Sequence, residues 1–244
     1  MKSTDDSAAG VIDNLIRELG DAHKTVQRRA IDELVAIAAG GDRFVTEKLR
    51  ASVASADRRV RWAAAYALGQ IGSTAFAMDS ADALCEAMAD DDGDIRWAAT
   101  NLMVRLGYNN LAEIGARLLK LAATGDRNAR KMALYCIRDL EIAGPELLAV
   151  VENSVHDPDV HVRLAALSVL SRLRDASGQA VRIMLECLKS DSDAGVRRAA
   201  ASALGNIQNA TADAMAALAS AAADTGDESL ARAARGALDR LEKR

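Results

Sequence analysis

Apolar residues return along this chain in one phrase, repeated seven times at intervals of 33–35 residues and opening at Val26, Val60, Ile95, Ala129, Val162, Val196 and Leu230. Four residues beyond each opening stands an alanine: Ala30, Ala64, Ala99, Ala133, Ala166, Ala200 and Ala234. Eight beyond stands a larger apolar residue (Leu34, Leu68, Met103, Ile137, Leu170, Leu204, Leu238), and eleven beyond an isoleucine or leucine (Ile37, Ile71, Leu106, Leu140, Leu173, Ile207, Leu241). Offsets of 0, 4, 8 and 11 trace one stripe of a 3.6-residue helix. An invariable alanine on that stripe marks a close helix–helix contact, where a larger side chain would overpack.

The polar positions fix where these helices start. Three residues before the opening stands Asp57, Asp92, Asp126, Asp159, Asp193 or Asp227, with His23 in the first copy. An aspartate there can accept from the free backbone N–H groups of the first turn and suits the positive end of the helix dipole. Five before the opening are the turn formers Asp21, Ser55, Asp90, Thr124, Asp157, Asp191 and Thr225. Between the phrases lie second apolar segments of helical character, roughly 11–19, 44–53, 81–89, 111–122, 146–155, 180–189 and 212–222. Each repeat is therefore read as a hairpin of helix A then helix B. The expected fold is all-α, a right-handed α-α superhelix of about seven hairpins. Residues 1–9 read as a flexible polar tail and 10–244 as a single solenoid domain.

Composition narrows the rest. Half of the 244 residues are hydrophobic and two are proline, which is enough apolar surface for an extended one-dimensional core. A net charge of −4 argues against a dedicated nucleic-acid binder. No apolar run approaches the ~18 residues of a membrane span, and no signal-peptide core follows Met1. Cys85, Cys136 and Cys187 form no CxxC pair and read as small buried hydrophobes of a reducing compartment, so the expected location is cytoplasmic.

The phrase VRWAAAYALGQIG at 60–72 and its partner VRRAAASAL at 196–204 resemble HEAT repeats, in particular the short repeats of phycobilisome lyases. The segment Asp157-Pro158-Asp159-Val160-His161-Val162-Arg163 is similar to the loop and second-helix start of that repeat. The resemblance covers the chain from about Val11 and implies the solenoid fold. The family serves as scaffolds, chaperone-like factors, lyases and DNA-repair proteins. It also implies that the arginine after each opening, here Arg61, Arg96, Arg130, Arg163 and Arg197, forms a structural ladder with acidic or hydroxyl residues of neighbouring turns. A row of phosphate-binding arginines is the rival reading. The end copies carry Gln27 and Ala231, as capping repeats should.

Catalytic signals are few. His156 and His161 lie five apart in a loop, which is not the one-turn spacing of two ligands on a helix face. The His-Glu pairs that a deoxyhypusine hydroxylase would need are missing. Asp90–Asp92 with Asp94 could hold a divalent cation, but reads as a turn and cap. No cofactor or metal is expected.

One pattern stands out. Positions two, six and nine of each B helix lie opposite the apolar stripe and should be solvated, yet they carry Trp62, Tyr66, Trp97 and Tyr135. Lys131 and Arg138 are interleaved there, with Arg58, Arg59 and Arg127 at the helix starts. Such an aromatic and basic band suits a protein partner, with an acidic or extended segment seated in the concave groove that HEAT resemblance assigns to the B helices; the rival reading has the rings packing on neighbouring B helices to cover the alanine-rich seam. The expected function is a non-catalytic interaction scaffold. The alternatives are a bilin-lyase-like factor handling a tetrapyrrole, and a nucleic-acid protein resembling the HEAT-like DNA glycosylases.

Overall fold

The computed structural model describes residues 2–71, 74–173 and 178–243, which leaves Met1 and Gly72, the last residue of the clearest phrase, outside the described residues. Fourteen helices and no strand are found among them. The A helices are α1 (Lys2–Glu18), α3 (Arg43–Ser52), α5 (Thr74–Ala87), α7 (Leu111–Thr124), α9 (Pro145–Ser154), α11 (Gly178–Ser190) and α13 (Ala212–Ala222). The B helices are α2 (Lys24–Ala39), α4 (Arg58–Ile71), α6 (Gly93–Asn109), α8 (Arg127–Asp139), α10 (Val160–Leu170), α12 (Ala194–Leu204) and α14 (Glu228–Glu242). All seven expected hairpins are present. The backbone of residues 2–9, read as a flexible tail, continues α1.

The chain divides into two compact units, Met1–Ile114 and Gly115–Arg244. Inside the first, α2 packs on α4 and α4 on α6, while α1 packs on α3 and α3 on α5. Inside the second, α8, α10, α12 and α14 stack in sequence, as do α9, α11 and α13. Each unit is thus a layer of A helices against a layer of B helices.

The alanine of every phrase, from Ala30 to Ala234, is completely buried. A methyl group at that point lets each B helix settle deeply against its neighbours, where packing density is crystal-like. The approach is close enough to change the expected exposure of position nine. In α4 that residue is Gly69, and a β-carbon on it would lie 2.9 Å from Leu102 of α6. In the repeat of α12 it is Gly205, the C-cap of that helix, where a β-carbon would stand 2.6 Å from Cβ and 2.7 Å from Cα of Ala237 on α14. Both glycines are buried, so in these repeats position nine belongs to the inter-helix seam rather than to a solvated face.

The loops repeat as regularly as the helices. Asp57, Asp92, Asp126, Asp159, Asp193 and Asp227 each accept from a first-turn backbone N–H of the following helix. Two residues upstream, Asp90, Asp157 and Asp191 hold the turn by accepting from the backbone N–H of the capping aspartate. His23 has no such cap.

The arginines after each opening tie these loops together. Arg130 donates from Nε and Nη2 to the Asp157 carboxylate at 2.7 and 3.1 Å, and Arg163 does the same to Asp191 at 2.9 and 3.1 Å. The remaining Nη1 of each bonds a carbonyl of its own loop, Gly125 or Asp157. Arg197 repeats the loop bond to Asp191 O and approaches Asp227 at 3.5 Å. In the first unit Arg61 instead reaches Glu86 on α5 and the carbonyls of Ser55 and Ala56, while Arg96 bonds Asp90 O. One carboxylate therefore shapes its own turn and clamps the arginine of the preceding repeat. The side chains of Arg163 and Asp191 are 14% and 8% exposed, so their bidentate pair is shielded from screening.

Two outcomes follow for thermal melts. Asp191→Ala removes both the turn bond and the clamp and leaves a shielded guanidinium, a loss of about 3 kcal/mol or more, whereas Arg232→Ala, in an exposed pair with Glu228, shifts stability by no more than about 0.5 kcal/mol. Gly205→Ala and Ala166→Leu overpack the seam and lower stability by about 1–3 kcal/mol each. Gly10→Ala, where nothing lies within 4 Å of the added carbon, raises it by about 0.5 kcal/mol.

Candidate functional site

In the first unit the band predicted from sequence is only partly open. Trp62 is 8% exposed, Tyr66 is half-buried and Trp97 is 51% exposed. Trp62 was expected to look into open solvent. It is enclosed because α4 is flanked by α2 and α6, so that Ala63, Ala65 and Ala67 are also fully buried and little of its circumference is free. Its ring packs on Tyr66 one turn later, with centroids 4.9 Å apart and planes tilted by 55°. Tyr66 is held in turn, since its hydroxyl accepts from Gln70 Nε2 and Gln70 Oε1 accepts from Arg105 of α6.

Trp62 and Tyr66 line a hollow of about 330 Å³ whose other walls come from α2 and the start of α6. Its apolar sides are Ile31, Ile95 and Ala98. The indole Nε1 of Trp62 is buried and has no hydrogen-bond partner. A buried donor without an acceptor costs about 1–3 kcal/mol, so this atom stands out in an otherwise well-satisfied repeat.

The charged lining of the hollow is balanced. Lys24 of α2 bridges to Asp92 at 2.5 Å and Asp94 at 3.4 Å, both at the start of α6. That clasp joins the first repeat to the third. Lys24 beside it holds the Asp92 carboxyl below the usual carboxylate range. With its folded value lowered, Asp92 adds stability above the ordinary carboxylate pKa, and that contribution fades as pH falls through the folded value. Arg28 and Asp32 add one charge of each sign. The sequence reading did not single out Lys24, Arg28 or Asp32, and took Gln27 only as the capping-repeat departure from the arginine ladder. The signal was available, because Arg28 and Asp32 occupy positions two and six of the first phrase, the same positions as Trp62 and Tyr66.

The basic residues at the start of α4 are exposed, with Arg58 at 3.5 Å from Asp90. The remaining band residues lie in the second unit. There the Arg138 guanidinium sits 5.1 Å from the Tyr135 ring centre and donates to Asp139 at 2.7 Å, while Arg127 stands 3.8 Å from Asp159. Lys131 and Tyr135 are half-buried.

Other chemistry is sparse. Among the described residues no group of three or more His, Cys, Asp or Glu side chains is placed to hold a metal ion. Asp90, Asp92 and Asp94 of the acidic run are engaged in the turn, the cap and the Lys24 clasp. Burial first, then Asp191 and Glu186, pushes the Cys187 thiol up to about 12, which suppresses the reactive thiolate. No helix among the described residues is long and apolar enough to cross a membrane.

Family models place the chain. A model described as HEAT repeats matches residues 12–103, and a HEAT repeat model matches residues 180–211. Both describe HEAT repeats in general, and neither extends the likeness to the phycobilisome-lyase subtype. A search of curated proteins finds no match. Among solved structures, the chain is similar to YibA of E. coli (TM-score 0.59, 16% identity, 95% of this chain and 92% of that one). It is similar to an archaeal HEAT-like repeats protein from Thermococcus onnurineus NA1 (TM-score 0.55, 14% identity, 95% and 97%). It also follows part of Kap121p (TM-score 0.67, 14% identity), covering 96% of this chain and 29% of that one. At these identities the likeness is one of fold. The seven hairpins, six of them with an aspartate cap on helix B, the buried alanine seam and the two sequence matches agree that the chain belongs to the HEAT-repeat family.

Proposed function

We infer that this repeat scaffold is a non-catalytic interaction module that receives a protein partner on the B-helix face of its first unit. The observation that carries the reading is Trp97. Its indole is half exposed on the same stretch of α6 as Asp94, Ile95 and Ala98, which line the hollow. An exposed tryptophan beside a partly apolar recess is the usual anchor of a protein interface, and such anchors supply most of the binding energy. The exposed Arg58 and Arg59 at the start of α4 favour acidic residues on the segments of the partner that run past the hollow.

Trp62 is a poor probe of this surface, because truncating a buried tryptophan costs about 3–5 kcal/mol of stability and confounds any loss of binding. Trp97→Ala tests the reading cleanly. Partners captured from cell extract by the wild-type chain are expected to lose affinity for Trp97→Ala by about thirtyfold, corresponding to a hot spot of about 2 kcal/mol. Arg232→Ala should retain them. Equal recovery of every partner by wild type and Trp97→Ala contradicts the assignment of the surface.

A further inference from the structure

One rung of the arginine ladder is unfilled, and it borders a second hollow. We propose that Arg197 of α12 is the docking point for the side chain of a glutamate on a partner protein, whose carboxylate takes the place that a neighbouring turn fills at Arg130 and Arg163. The site lies wholly in the second unit and shares no residue with the surface assigned to Trp97.

Three observations support it. First, the fork is set but not filled. Arg130 and Arg163 each commit Nε and Nη2 to the carboxylate of the next turn, Asp157 or Asp191. Arg197 is anchored by the same bonds as Arg163. Its Nη1 donates to Asp191 O at 2.9 Å and Ser192 O at 3.2 Å, where Arg163 donates to Asp157 O and Pro158 O. At the register of Asp157 and Asp191, however, the next turn carries Thr225, and its turn-forming aspartate is Asp224, one residue earlier and engaged by the Gly226 N–H. Arg197 Nε accordingly has no hydrogen-bond acceptor among the described residues, and Nη2 has only Asp227 Oδ2 at 3.5 Å. That approach shows the free edge turned toward the next loop. Asp227 is pinned short of closing the fork, because its other oxygen caps α14 by accepting from Leu230 N at 2.9 Å. A guanidinium only 27% exposed, with its Nε–Nη2 edge unmatched, is a receptor for the two oxygens of a planar carboxylate.

Second, there is room beside the fork. Arg197 lines a hollow of about 640 Å³ at the ends of α11 and α13, within the ~300–1,000 Å³ range of ligand sites. Leu188, Ala221 and Leu230 give it apolar wall, which suits the methylenes of a glutamate. Third, the charges favour a single carboxylate. The positive groups Lys189, Arg163 and Arg197 balance the negative Asp191, Asp224 and Asp227, so recognition falls to directed hydrogen bonds. A phosphate dianion would bring twice the charge past Asp224 and Asp227. One carboxylate beside a capping aspartate is already accommodated in this unit, where Asp191 clamps Arg163 with Asp193 two residues along the same turn.

The full ¹⁵N-labelled chain is titrated at physiological salt with three probes: N-acetyl-glutamate methylamide, its neutral glutamine counterpart and inorganic phosphate. The readout is the Arg197 Nε–H resonance, assigned through its scalar connection to the rest of that side chain. The expected result is a saturable downfield shift with the glutamate probe at millimolar concentration, none with the glutamine probe, and a midpoint for phosphate at least about fivefold higher. Thr225→Asp, at an exposed position, returns a carboxylate to the empty register. It should shift the resonance before any ligand is added and raise the midpoint for the glutamate probe at least about fivefold. No shift with the glutamate probe, an equal midpoint for either control, or an unchanged midpoint in Thr225→Asp overturns the proposal.

Discussion

Everything in this structure depends on how closely one B helix approaches the next. Seven alanines at zero exposure mark the contact line, and glycines at 69 and 205 extend it where even a methyl group would collide with the neighbouring helix. Small residues here contribute little apolar area of their own. Their effect is to bring the larger residues four positions further on, from Leu34 to Leu204, into dense contact, and dispersion and apolar burial then accumulate along the stack. Because repeat proteins are held by nearest-neighbour interfaces, the geometry of this one seam sets the stability of each unit.

The loops perform a second task with an economical set of atoms. A single carboxylate such as Asp157 or Asp191 holds its own turn and clamps the arginine of the repeat before it. Folding of one hairpin thereby presents a finished anion to its neighbour. Other acceptors serve as well: Arg61 bonds Glu86, and Arg197, whose next repeat carries Thr225 at the register of Asp157 and Asp191, bonds its loop carbonyls with Asp227 at longer range. The arginine's role is preserved while its partner changes, because a guanidinium offers five donors in a fixed fork.

The hairpins, their caps and the alanine stripe were legible in the sequence because each depends on local spacing. A 3.6-residue period and an aspartate three residues upstream survive translation into any helical stack. The site was less legible. The helical phase placed Trp62 opposite the stripe correctly, but exposure depends on the flanking helices, and the period of one helix carries no information about how far its neighbours wrap it. Hence Trp62 is enclosed while Trp97, at the same position one repeat later, is half open. The hollow also draws on Arg28 and Asp32, which a search guided by aromatic residues passed over although their register matched. The unpartnered indole N–H could not be read from sequence at all, because satisfaction of a donor is a property of three-dimensional surroundings.

The central claim is that position two of the repeat, although opposite a buried alanine in both helices, is sealed in α4, where α2 and α6 flank it, and half open in α6. Acrylamide quenching of two single-tryptophan chains, Trp97→Phe and Trp62→Phe, measures this directly. The account predicts weak quenching and blue-shifted emission for Trp62, and several-fold stronger quenching with red-shifted emission for Trp97. Equal quenching of the two indoles, or the reverse order, would contradict it.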